Sequence, residues 1–171
     1  MRIEYTINFL EYWHIGSGMG AGAVADAVVL KDERGLPYVP GKTIKGLVRE
    51  FACNSEDEKF VDGCLGKGGE ILEIRPTYFS NAELVEGEKI ADQGLQSFLF
   101  EKMAFTALDE RGLALDGSLR SIEFVIPMKL RGFVECEDRY VGSMKKYLAS
   151  IKRMGLSRNR GFGRCHVKVE S

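Results

Sequence analysis

Residues 141–169 read VGSMKKYLASIKRMGLSRNRGFGRCHVKV, and three regimes follow one another within them. Apolar residues recur at helical spacing as far as Met154, which predicts a helix over 141–154. Gly155-Leu156-Ser157-Arg158-Asn159-Arg160-Gly161-Phe162-Gly163 then breaks the pattern with three glycines, which let the backbone turn tightly. From Arg164 to Val169 the residues alternate, which predicts a closing strand. Working outward to the other end, residues 2–10 place Ile3, Tyr5, Ile7 and Phe9 on one face and Arg2, Glu4, Thr6 and Asn8 on the other. That is the period of a half-buried strand.

Between these ends, Val24–Asp32 looks extended, and a turn is expected at Glu33-Arg34-Gly35. Pro37 and Pro40 delay a helix until Gly41, after which Ile44, Leu47, Val48 and Phe51 form one apolar side of Lys42–Cys53. Residues 50–92 are acidic and irregular, Leu95–Phe105 is helical or strand-like, and Asp109–Gly112 and Asp116-Gly117 read as hairpin turns. Ile122, Phe124, Ile126, Met128 and Leu130 alternate, which predicts one long strand. The order strand, helix, strand pair, helix, strand is that of an α+β, ferredoxin-like (RRM-like) βαββαβ core. Insertions follow the first strand and the first helix, and the expectation is one domain over residues 1–171.

Composition limits the function classes. The chain has 171 residues, 44% hydrophobic and 29% charged, which suits a soluble globular domain with its own core. No apolar run is long enough to span a bilayer and the first residues lack a signal-peptide layout, so the expected compartment is the cytoplasm, without a membrane partner. Four scattered cysteines and two distant histidines argue against a structural zinc site. Net charge of −1 excludes a globally basic nucleic-acid binder. The charge is nevertheless segregated, since Lys145, Lys146, Lys152, Arg153, Arg158, Arg160, Arg164 and Lys168 share their stretch with no acidic residue. Backbone amides and forked guanidinium groups in such a loop suit phosphodiester oxygens, and Phe162 either stacks on a base or packs in the core.

Several motifs fail on their own terms. Gly41-Lys42-Thr43 lacks the glycine five residues earlier that a phosphate-binding loop needs, Leu36 standing there instead. Gly18-Met19-Gly20-Ala21-Gly22-Ala23 leads into extended structure rather than a helix, against a dinucleotide fingerprint. Asp26, alone among Ala23-Val24-Ala25 and Ala27-Val28-Val29, either caps a turn or holds a hydrated metal ion. His14 is either a general base or a packed aromatic.

Together these residues resemble the CRISPR-associated RAMP superfamily. His14-Ile15-Gly16-Ser17-Gly18 is similar to that family's segment after the first strand, Gly35 to Arg49 to its Pro-Gly helix start, and Gly155 to Gly163 to its glycine-rich loop. Asp26-Ala27-Val28-Val29-Leu30-Lys31-Asp32 resembles the catalytic segment of the guide-coating backbone subunit of type III effector complexes. The resemblance implies a guide-RNA-binding subunit of an antiviral ribonucleoprotein, with target RNA, other effector subunits and a homo-oligomeric filament as partners. It implies Asp26 as catalytic residue and ligand of a divalent cation such as magnesium in an endoribonuclease. The implied RNA contacts are Lys42, Thr43, Lys45 and Arg49 on the first helix, and Arg158, Asn159, Arg160, Gly161, Phe162, Gly163 and Arg164 on the loop.

The family's backbone subunits are generally longer, so a reduced thumb is expected within an insertion over about residues 54–120, its tip at Leu113–Arg120. The alternatives are a non-catalytic capping subunit, a metal-independent guide-processing endonuclease using His14, and a small-molecule enzyme of the same fold. The basic helix and loop argue against the last.

Overall fold

The computed structural model describes residues 1–16, 18, 26–66 and 77–170. Much of the glycine-rich stretch after the first strand, and residues 67–76 of the acidic, irregular region, lie outside the described residues. In chain order the elements are β1 (Arg2–Phe9), α1 (Gly41–Asn54), α2 (Glu58–Phe60) running into a π-helical turn (Val61–Leu65), β2 (Tyr78–Phe79), β3 (Glu83–Leu84) and α3 (Gly87–Asp92). After them come β4 (Phe100–Phe105), β5 (Arg120–Val125), β6 (Lys129–Glu135), α4 (Val141–Ser150) and β7 (Cys165–Val169).

The main sheet runs β2-β6-β1-β7, with β3 also on β6. β2 and β3 meet successive stretches of β6, at Glu135 and Val134 and then at Arg131 and Leu130, so they act as one interrupted edge strand. Counted so, the order is second-third-first-fourth with every pair antiparallel, the ferredoxin-like arrangement. β1 is central because its alternation is strict. Ile3, Tyr5, Ile7 and Phe9 are all at most 2% exposed and face α1 and α4. Ile44, Leu47, Val48 and Ala52 from α1, with Met144, Tyr147 and Leu148 from α4, complete that layer.

Two expectations are corrected. The single strand foreseen over 122–130 is two strands in different sheets. β5 pairs with β4 in a separate hairpin, and β6 joins the main sheet. Pro127 lies between them and has no N–H for a ladder, so the chain changes sheets there while its apolar phase continues unbroken. The second helix stops at Ser150 rather than Met154. Residues 151–154 are an arm of the following loop: Lys152 O accepts from Cys165 N and Met154 N donates to Gly163 O. Ile151 and Met154 are buried, which a continued helix would also have accomplished, so the periodicity did not distinguish the two.

The β4–β5 hairpin lies outside the main sheet. Its connection turns at Asp109–Gly112, where the Asp109 carboxylate accepts from Arg111 N and Leu113 N. Leu108, Leu113 and Leu119 on this connection are each more than 60% exposed.

Candidate nucleic-acid interface

The C-terminal loop is folded by its glycines. Gly155 has φ +93° and Gly163 φ +67°, and a Cβ at Gly155 would lie 2.3 Å from His14 O, one at Gly163 2.0 Å from Met154 O. Neither position has room for a side chain, and both are left-handed. The loop consequently lies flat on the segment after β1: Leu156 N donates to His14 O at 2.9 Å and Gly163 N to Tyr12 O at 2.8 Å. With its base pinned, the loop projects Arg158, Asn159 and Arg160 in a 3-10 turn.

Asp26 is brought to the same place by the hairpin. Its N–H donates to Ser121 O at 2.8 Å and its Oδ2 accepts from Ser121 N at 2.7 Å. Glu123 secures the rest of that segment. It is 8% exposed, accepts from Val29 N at 3.0 Å through Oε2, and pairs with Lys31 Nζ at 2.9 Å through Oε1. Its own N–H donates to Ala27 O. Asp26 itself stays exposed.

The result is an open cleft of about 620 Å³. It is lined by Asp26, Arg120, Ser157, Arg158, Asn159 and Arg160, together with the apolar side chains of Ala27, Phe105, Ile122 and Leu156. Three arginines, one carboxylate and several apolar side chains thus share one lining. Such a lining offers cations to a phosphodiester and apolar area to a sugar or base.

The other expected residues divide. Lys42 is exposed on α1, but Lys45 and Thr43 are half-buried. Arg49 gives its guanidinium to Leu65 O at 3.1 Å and Gly66 O at 2.7 Å, so it closes the π-helical turn. The exposed stripe of α1 runs Lys42, Gly46, Glu50, Cys53, and is less basic than anticipated. It does adjoin the loop, because Glu50 Oε2 lies 4.0 Å from Arg158 Nη1. Lys42 stands two turns away, about 12 Å along the axis. Arg164 is paired with Glu11 at 2.9 Å. Gly161 is exposed, while Gly163 is buried.

Phe162 is half-buried and stacks on Phe124, centroids 4.4 Å apart, with Phe105 edge-on at 5.9 Å. One of its faces is therefore taken by the core and is not offered to a base. His14 is 3% exposed and absent from the cleft lining, with Nδ1 2.6 Å from Glu123 O and its ring edge-on to Phe124. This is the packed-aromatic arrangement.

Two residues escaped the sequence. Arg120 carries a charge on the inward phase of Ile122 and Phe124, and that mismatch was the available signal. Glu123 falls on the outward phase and reads as solvated, yet the segment at 26–31 covers it.

The chain belongs to the RAMP superfamily, whose family model matches residues 6–166. Two solved structures share its fold. One is a chain of the type III-B Cmr-beta complex bound to cognate target RNA, at TM-score 0.78 and 10% identity, covering 99% of this chain and 97% of that one. The other is from the apo state of the type III-B Cmr-beta complex, at TM-score 0.78 and 12% identity, with the same coverage. No curated protein matches the chain in sequence.

Proposed function

We propose that this chain is a guide-RNA-binding subunit of a type III CRISPR effector complex, and that Asp26 takes part in cutting the paired target. The observation that carries the reading is the shared cleft. Asp26 and the arginines of the glycine-rich loop lie more than 130 residues apart in sequence, yet they line one opening. Family membership and the full-length likeness in fold to a chain of an RNA-bound type III-B complex support it. Arg158 and Arg160 grip phosphate oxygens, sequence is left to base pairing, and counterion release makes affinity fall with salt. The exposed leucines of the β4–β5 connection supply apolar contact for neighbouring effector subunits, including further copies in a filament.

In the cutting step the ribose 2′-hydroxyl gives its proton to water as its oxygen attacks the adjacent phosphorus in line, and the P–O5′ bond breaks as the 5′-oxygen takes a proton from water, giving a 2′,3′-cyclic phosphate and a 5′-hydroxyl. The chain's part is to fix the phosphate with its arginines and to present Asp26 from a segment locked to β5. One carboxylate suits a magnesium-type ion, which is commonly held by one or two carboxylates together with substrate phosphates and water. Asp26 is the one carboxylate in the described lining of the cleft, so it is the residue that would hold such an ion. When bound, the ion supplies positive charge beside the phosphate.

Asp26→Ala in an assembled complex is expected to abolish metal-dependent target cutting and leave guide binding intact; retained cutting would remove Asp26 from the site. The exposure of Asp26 favours this over a purely capping subunit, and the burial of His14 disfavours a His14-dependent guide-processing enzyme.

A further inference from the structure

We infer that Arg120, at the base of the β4–β5 hairpin, and Arg160, on the C-terminal loop, clamp one and the same phosphodiester beside Asp26. The inference rests on the RNA reading above and adds to it a residue from outside every motif of the sequence.

Some of the charges in the cleft are already compensated. Arg158 leans toward Glu50 at 4.0 Å, and its carbonyl accepts from Arg153 Nη1 at 3.1 Å. Asp26 keeps Oδ2 on Ser121 N. Among the described residues, Arg120 and Arg160 form no ion pair, and both are exposed in the cleft lining. They come from different elements that line the same cleft: Arg120 from β5, paired with Phe105, and Arg160 from the turn that follows Ser157.

Arg120 is held in place by the residue after it. Ser121 makes both backbone bonds to Asp26, so the lining presents a guanidinium and a carboxylate from adjacent positions. A single anion between the two elements satisfies two uncompensated cations, and a forked guanidinium meets a phosphate with two parallel bonds. The same anion lies against Asp26, which orients the reacting phosphorus toward it. Arg120 is in this sense a positioning residue.

The test is binding of a fluorescein-labelled single-stranded RNA of about 20 nucleotides by fluorescence anisotropy across a salt series, using the full chain. The variants are Arg120→Ala, Arg160→Ala, the pair together, and Arg120→Lys, each checked for an unchanged melting temperature. For single-stranded RNA the slope of log K against log salt is about −0.7 per phosphate neutralised. A shared phosphate predicts that each alanine variant weakens binding about tenfold. The double variant reduces the magnitude of the slope by only about 0.7. Arg120→Lys, which keeps the charge and loses the fork, keeps the slope but not the affinity.

If each single variant removes about 0.7 and the double about 1.4, the arginines hold separate phosphates and the clamp is refuted. If Arg160→Ala weakens binding while Arg120→Ala does nothing, the clamp fails and the RNA reading stands. If the double variant binds like the unaltered chain, both fall.

Discussion

Gly163→Ala is the substitution that should undo the interface without touching any charged residue. A Cβ there would lie 2.0 Å from Met154 O, and the backbone would have to hold φ +67° with a side chain present. The left-handed conformation costs about 1–2 kcal/mol for a residue other than glycine. Relieving the contact requires the strands to part by more than 1 Å, since carbon–oxygen contacts below about 3 Å are repulsive. That movement stretches Met154 N to Gly163 O, now 3.0 Å, and Gly163 N to Tyr12 O, now 2.8 Å. Each such bond contributes about 1 kcal/mol. Together these terms amount to about 3–4 kcal/mol, a large part of the ~5–15 kcal/mol available to a domain.

Urea unfolding followed by circular dichroism measures the loss, and amide exchange should quicken at Leu156 and Gly163. Gly161→Ala is the internal control: φ is +92° but nothing lies within 4 Å of its added Cβ, so only the conformational part, about 1–2 kcal/mol, applies. If Gly163→Ala costs less than Gly161→Ala, the reasoning from close approach is wrong.

Other outcomes follow from the same geometry. Glu123→Ala strips Lys31 and Val29 N of their partner and should cost about 3 kcal/mol in urea unfolding, while Glu123→Gln, which retains an acceptor, should cost less than half of that. Arg49→Ala should lower stability by about 1–2 kcal/mol, because two carbonyls lose their donor, yet leave the salt slope of RNA binding unchanged. A changed slope with unchanged stability would return Arg49 to the interface. Burial pushes the Cys165 thiol up to about 12, the Cys64 thiol to about 11 and the Cys136 thiol upward, and all three are buried, whereas Cys53 is exposed. Native alkylation at pH 8 counted by mass spectrometry should therefore add one label, with four after unfolding. Because the three buried thiols keep their protons in the folded chain above the pH near 9 where unfolded thiols release them, stability should decline as pH rises from about 9 toward 12, read as a falling urea midpoint.

The framework of the fold was open to reading because three elements carry unambiguous periodicity. β1 alternates over its whole length, α1 has an apolar stripe behind two prolines, and β7 closes the chain by alternation. Pro127 was a sufficient sign that 122–130 is not one strand, but the apolar phase running through it concealed the change of sheet. The cleft was less legible. Asp26 and the loop were each visible, yet their meeting depends on Ser121 and Glu123, which look like ordinary outward residues of a strand. Lys45 and Arg49 fell at the margin of a helical wheel, where a basic residue is as able to close a turn as to face solvent, and Arg49 does the former. Phe162 was ambiguous between base and core because both want an aromatic beside glycine.

On the proposed reading, RNA lies in the cleft between the hairpin base and the glycine-rich loop. Photocrosslinking with single-stranded RNA carrying 4-thiouridine, followed by mapping of the adducts, tests it most directly. The cleft predicts adducts within residues 105–122 and 155–162 that disappear in Arg158→Ala/Arg160→Ala. Adducts confined to the open face of the sheet, at Lys129, Arg131, His166 and Lys168, and unaffected by those substitutions, would contradict it.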